Sequence, residues 1–203
     1  RSFVFTQTRK IVENAATTTP VSRNSLKGIG YKDEKKIENL LQYHATHSCK
    51  ECDLSSVILT QEKKHFSNFS DSNLSFSKMS ESFFNFSQFN SAQLEGVELN
   101  KSQLLYSDFS QSLLSDTSFK NSYLQLSHFT EAIIDYAIFS GADLSYTQFD
   151  DAHMKEVDFQ DTNLTMATFN KVTDINSKFQ DVIAEKISFQ KAELTNTRFI
   201  SAQ

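Results

Sequence analysis

From Leu54 to Phe199 the chain repeats every five residues without a break. Thirty pentads fit one frame, and 27 of their central positions hold a large apolar residue. The exceptions are Lys64, Asp174 and Ala184. Two positions before each centre sits a small side chain, as at Ser72, Ser77, Ala92, Thr117, Ala142 and Ala167. A helix repeats at 3.6 residues and a strand at 2, so neither sustains a period of five. A chain with this frame must turn a corner once per pentad.

Ala142-Asp143-Leu144-Ser145-Tyr146 reads as small, Asp/Asn, Leu/Phe and two variable residues. Ser72-Asn73-Leu74 and Thr162-Asn163-Leu164 follow the same order. In this the sequence resembles the pentapeptide-repeat family, over residues 52–203. The resemblance implies an all-β fold, a right-handed quadrilateral β-helix of about 7–8 coils with four pentads per coil. The centre and the small residue would point inward, and the other three positions outward.

The centres carry a second alternation. From Phe109 to Phe199 every tenth residue is Phe, and the centres between are mostly Leu, Ile or Met. With four sides per coil, the rings must occupy two opposite sides. Each buried ring contributes about 1.5–3 kcal/mol. Asp174 would be a buried charge, which is costly unless paired, so a local bulge turning Ile175 inward is expected there. Lys64 lies in the first coil, where the interior can open to solvent, and Ala184 should leave a small void under Leu164.

The flanks differ. Asp33 followed by Ile37, Leu40 and Leu41 predicts an N-capped helix over 34–45, placed as a lid on the first coil, because a bare strand edge invites aggregation. The expected division is an N-terminal segment 1–48 and a β-helix 49–203, with residues 1–30 irregular or partly extended. The frame is still running at Gln203, which suggests a following domain or two chains paired end to end. The chain does not begin with Met, so it reads as a fragment or a processed product.

Residues 1–49 carry 8 Lys/Arg and 4 Asp/Glu; residues 50–203 carry 12 and 21, a net −9. Such an acidic body argues against nucleic acid as a partner, since phosphates are met by excess Lys/Arg. No apolar run approaches the ~20 residues of a membrane span. Two cysteines are too few for a disulfide framework, and a reducing, cytosolic setting is acceptable.

Among possible sites, His44, His47, Cys49 and Cys52 form an H-x2-H-x-C-x2-C run that could ligate zinc. Cys49 and Cys52 also fall in frame as core positions, and that reading is preferred, so no metal and no cofactor are expected. No catalytic motif is present. The acids, among them Asp108, Asp116, Glu131, Asp150, Asp158 and Asp181, scatter over different sides. One outward column is apolar: Phe66, Phe86, Tyr106, Leu126, Tyr146 and Met166, then Lys186, spaced by 20 and so stacked on one edge. Phe83, Leu105 and Tyr123 lie on the same side. Such a strip marks an interaction surface, covered by residues 1–30, by a following domain or by a separate protein.

The expected function is therefore non-catalytic protein–protein interaction through this strip. In style and layout the chain is similar to the β-helix preceding a HECT-like ubiquitin-ligase region in enteric type III effectors. That resemblance implies a bacterial virulence protein secreted into a host cell, with the rod selecting substrates. The alternative is a DNA-mimicking modulator of a type II topoisomerase, as among the quinolone-resistance members of the family.

Overall fold

The computed structural model describes residues 21–202. Helix α1 (Arg23–Gly28) and helix α2 (Glu34–Thr46) precede the repeat. The rest is a right-handed quadrilateral β-helix. Most sides are so short that one residue bridges to the next coil, always in parallel and always to the residue 20 further on, from Ser48↔Asn68 to Thr168↔Ser188. Five sides extend to three-residue strands: β1 (His153–Lys155), β2 (Thr173–Ile175), β3 (Lys178–Gln180), β4 (Glu193–Thr195) and β5 (Arg198–Ile200). They pair β1–β2–β4 and β3–β5 in the same 20-residue register.

One pentad shows why five residues suffice for a side and a corner. Phe69 N–H donates to Gln88 O in the next coil (2.7 Å) and Asp71 N–H to Asn90 O (3.0 Å). Ser72 N–H closes a β-turn onto Phe69 O (3.2 Å), and Asn73 N–H returns to Cys52 O in the previous coil (2.8 Å). That leaves Ser70 N–H, which the Asn68 side chain accepts (2.9 Å). Every donor is satisfied, as a buried backbone requires. The Asp/Asn before the centre thus has a physical role: its carboxylate or amide oxygen caps the one N–H the coil leaves over. Asp53, Asn73, Asp108, Asp143, Asp158 and Asn163 do the same. The inward hydroxyls meet backbone carbonyls, as in Ser72 to Phe69 O and Ser122 to Leu99 O.

The turn has a cost. Its third residue takes positive φ at every corner, including bulky residues such as Phe66 (60°) and Tyr106 (56°). This region is unfavourable for side chains with a Cβ by about 1–2 kcal/mol. The ladder bonds on either side hold it in place.

The core follows the Phe alternation. Rings 20 residues apart stack: Phe89 on Phe109 at 4.7 Å and Phe119 on Phe139 at 4.9 Å. Rings from the two Phe sides meet edge to face, as Phe139 and Phe149 do at 5.9 Å and 88°. Both geometries are favoured by the ring quadrupole. Leu74, Leu94, Leu114 and Leu104, Leu124, Leu144 fill the other two sides, fully buried.

Helix α2 closes the first coil. Asp33 caps it, accepting from Lys36 N–H (2.9 Å). Ile37, Leu40 and Tyr43 are buried in the same core as Leu54 and Phe69. Its polar groups and the segment before it stand in for the missing coil: Asn39 Nδ2 donates to Asp53 O (3.0 Å) and Lys36 Nζ to Ser55 O (2.7 Å), while Ile58 N–H donates to Oη of Tyr31, just ahead of α2 (3.0 Å).

Several expectations need correction. Of the segment expected to be irregular, residues 1–20 lie outside the described residues, whereas Arg23–Gly28 is helical behind a Ser22–Ser25 capping box. Asp174 makes no bulge. Its side chain points inward at 1% exposure, while Ile175 stays outside. The carboxylate is held by the Ser177 and Thr197 hydroxyls, two small inward positions of adjacent coils. Hydrogen bonding within the core lowers the penalty that made a bulge attractive. Lys64 is not simply open to solvent either. It lies under α2, with Nζ 5.4 Å from the Tyr43 ring centre and 3.3 Å from His44 O.

Candidate functional site

The apolar column occupies one corner of the rod. Its residues sit at the positive-φ position of successive turns on one side, which throws each side chain outward at the corner. Phe66 stacks on Phe86 at 5.1 Å and 11°, and Phe86 on Tyr106 at 5.0 Å and 9°. Phe66 is 71% exposed and Met166 39%, with Phe86, Tyr106 and Tyr146 between these values. Leu126 is half-buried, and Lys186 ends the column. On the adjoining flat side Tyr123 is exposed, while Phe83 and Leu105 are half-buried. Phe86 has a ring against each face, whereas Tyr146 lies between Leu126 and Met166.

The other corners differ in kind. One carries Glu51, Asp71, Glu131 and Asp151, another Glu81, Lys101, Asp161 and Asp181, and a third Asp116 and Glu156, interspersed with the exposed rings of Phe76 and Tyr136. Only the corner from Phe66 to Met166 runs six coils without a charge.

The His/Cys run falls apart as a metal site. Cys49 and Cys52 are joined as a disulfide, with Cα atoms 5.3 Å apart, and both are buried at the rim under α2. Their in-frame inward placement was legible; the bond was not. Among the described residues no group of three or more His, Cys, Asp or Glu is arranged to hold a metal ion. His44 lies beside Lys64 and is pushed down to about 4, first by burial and then by the Lys64 and His47 charges. Burial also raises the carboxyl of Glu62, which occupies a small inward position next to Lys64.

A constellation missed by sequence reasoning lies on another side. His153 Nδ1 is 3.0 Å from Thr173 Oγ1, and His153 Nε2 is 3.7 Å from Asp135. The order resembles a hydroxyl–imidazole–carboxylate relay. The signal was the 20-residue spacing of His153 and Thr173. The site is a flat outer side, and Thr173 N–H is spent on Ala152 O (3.2 Å), so it offers no donor to a developing oxyanion. Its chemistry is that of a hydrogen-bonded surface column.

With this geometry in hand, comparison decides the family. A model for pentapeptide repeats matches in eight copies, over residues 67–104, 107–145 and 137–173. The chain belongs to the pentapeptide-repeat family. Among solved structures, this pentapeptide-repeat rod is similar to QnrB1, a plasmid-mediated fluoroquinolone resistance protein. Identity is 15% over 73% of this chain and 80% of that one, with a TM-score of 0.56. A pentapeptide-repeat protein of the Arabidopsis thaliana thylakoid lumen follows at 20% identity, covering 55% of this chain and 71% of its own, with a TM-score of 0.40. At these identities the likeness is one of fold alone. No curated protein matches the sequence. Among the described residues, no helix is long and apolar enough to cross a membrane.

Proposed function

We propose that this rod is a non-catalytic protein-recognition module that engages a protein partner along the corner from Phe66 to Met166. The observation that supports it is the run of six exposed or half-exposed apolar residues on successive coils of one corner, three of them stacked ring on ring. A contiguous apolar patch of this kind is rare on a soluble monomer without a binding role, and aromatic anchors dominate recognition energetics. Repeat rods present such surfaces by stacking identical positions. If the chain selects substrates for a HECT-like ligase, as its style suggests, this corner is where a substrate would lie.

The test is the pair Tyr106→Asp and Tyr146→Asp. Both side chains are exposed, so the fold should survive, with an unchanged circular dichroism spectrum and melting midpoint. Capture of a bound partner should be lost. Capture that persists, or a variant that unfolds, removes this reading.

A second reading, a DNA-like rod acting on a type II topoisomerase, has one observation in its favour: the net −9 over residues 50–203. The acids occupy three corners and several sides rather than one phosphate-like track. Gyrase supercoiling and cleavage assays with purified protein decide it, and no effect at micromolar protein would discard it.

A further inference from the structure

We propose that the occupant of this corner is a second copy of the chain, lying antiparallel to the first. The proposal rests on the corner being a recognition surface and adds what sits there.

Charge is the first argument. Two rods of net −9 repel along most approaches. Of the four corners, that from Phe66 to Met166 is the one along which two copies can meet for six coils without opposing like charges. Much of its border is also uncharged: Asn85, Gln125, Ser145 and Thr165 on one side, Gln88 and Gln148 on the other.

Pitch is the second argument. The outer rings repeat at 5.0–5.1 Å. A partner that follows the ladder over its length must present apolar groups at that repeat, and another copy does so by construction.

The exposure profile sets the direction. Phe66 protrudes most at 71%, Phe86, Tyr106 and Tyr146 are exposed to a similar degree, and Leu126 and Met166 are the recessed positions. Antiparallel pairing sets each recessed residue against a protruding one, placing Phe66 opposite Met166, Tyr106 opposite Leu126 and Phe86 opposite Tyr146. The arrangement is isologous and closed by one two-fold axis. From these exposures and typical aromatic areas the corner offers roughly 500 Å² per rod, or about 1,000 Å² per pair. That is at the lower edge of specific interfaces, so a reversible dimer is expected.

Sedimentation velocity of the 203-residue chain across micromolar to submillimolar concentrations should show a monomer–dimer equilibrium. Molar salt should leave it unchanged or strengthen it, because screening relieves repulsion between rods. Tyr106→Asp with Tyr146→Asp should weaken dimerisation at least about 30-fold. Under mild oxidation, a mixture of the Phe66→Cys and Met166→Cys variants should cross-link to each other far faster than either does to itself. A chain that stays monomeric at every concentration overturns the proposal, as does Phe66→Cys pairing with itself. If the chain is monomeric yet a foreign partner is still lost in the aspartate pair, the dimer fails and the recognition surface stands. If the aspartate pair changes no association at all, both fail.

Discussion

Phe149 and Phe169 stack at a centroid distance of 4.6 Å with their planes 8° apart, and each meets Phe159 edge-on. No ring in this column is packed by its own coil alone. Phe149→Ala should therefore destabilise by about 3–5 kcal/mol, while Phe149→Leu, which puts the residue type of the adjacent sides on this one, should cost less. Urea denaturation of both variants measures the difference. Since each coil touches only its neighbours, hydrogen exchange should rise most around residues 129–169 and least near α2.

Asp143 takes part in four bonds, accepting from Ser145 N–H (3.0 Å), Ser145 Oγ (2.8 Å), Gln125 Nε2 (2.8 Å) and Asn163 Nδ2 (3.3 Å). Asp143→Ala leaves the left-over N–H of its pentad uncapped and should cost about 1–2 kcal/mol. Asp143→Asn keeps the capping oxygen and should recover most of that. Equal losses in the two variants would mean the charge matters more than the cap.

Asp174 is a carboxylate among apolar rings, satisfied by two hydroxyls. Breaking one partner of a buried polar group is costly, but replacing the group by an apolar residue of similar size is often neutral or stabilising. Asp174→Leu restores the residue type that fills this side at Leu114 and Leu94, and Ser177 and Thr197 can turn to backbone carbonyls as Thr162 does to Phe159 O. An increase of roughly 1 kcal/mol is expected, read as a higher urea midpoint. A marked loss would show that the carboxylate organises the last coils.

His44 gives the lid a pH dependence of known sign. Its folded value is about 4, against an ordinary 6.5. The neutral ring is the folded form, so its contribution is complete above pH 6.5 and is lost as pH falls from 6.5 towards 4. At most about 3 kcal/mol is at stake. Glu62, whose carboxyl is raised by burial, acts in the opposite direction and gains protons on folding. The difference between wild type and His44→Gln isolates the histidine. The variant should lose less stability than wild type between pH 7 and 4.5, and parallel losses would acquit His44.

Most of the rod was legible because each pentad position has one environment. The frame, the two Phe sides, the Asp33 cap and the exposed corner all follow from residue type at a fixed offset. What was missed has a common cause. Asp174 with Thr197, His153 with Thr173 and Lys64 with Tyr43 are contacts between residues 20 or more apart, in which one unusual side chain is answered by another. A positional pattern averages over such pairs. The cysteines illustrate the same limit: their inward direction follows from the frame, but a bond between a centre and the next small position is answered by side-chain identity at this one pentad.

The uninterrupted 20-residue register couples length to direction. Removing a whole coil would shorten the rod by one rung and leave every column aligned. Removing five residues would instead rotate everything beyond the cut by a quarter turn. Placed between Tyr106 and Leu126, such a deletion would carry Tyr146 and Met166 to a neighbouring edge while every ring still found a core position. Viable length variants of this protein should therefore come in steps of twenty, since smaller steps preserve folding but scatter the surface that folding displays.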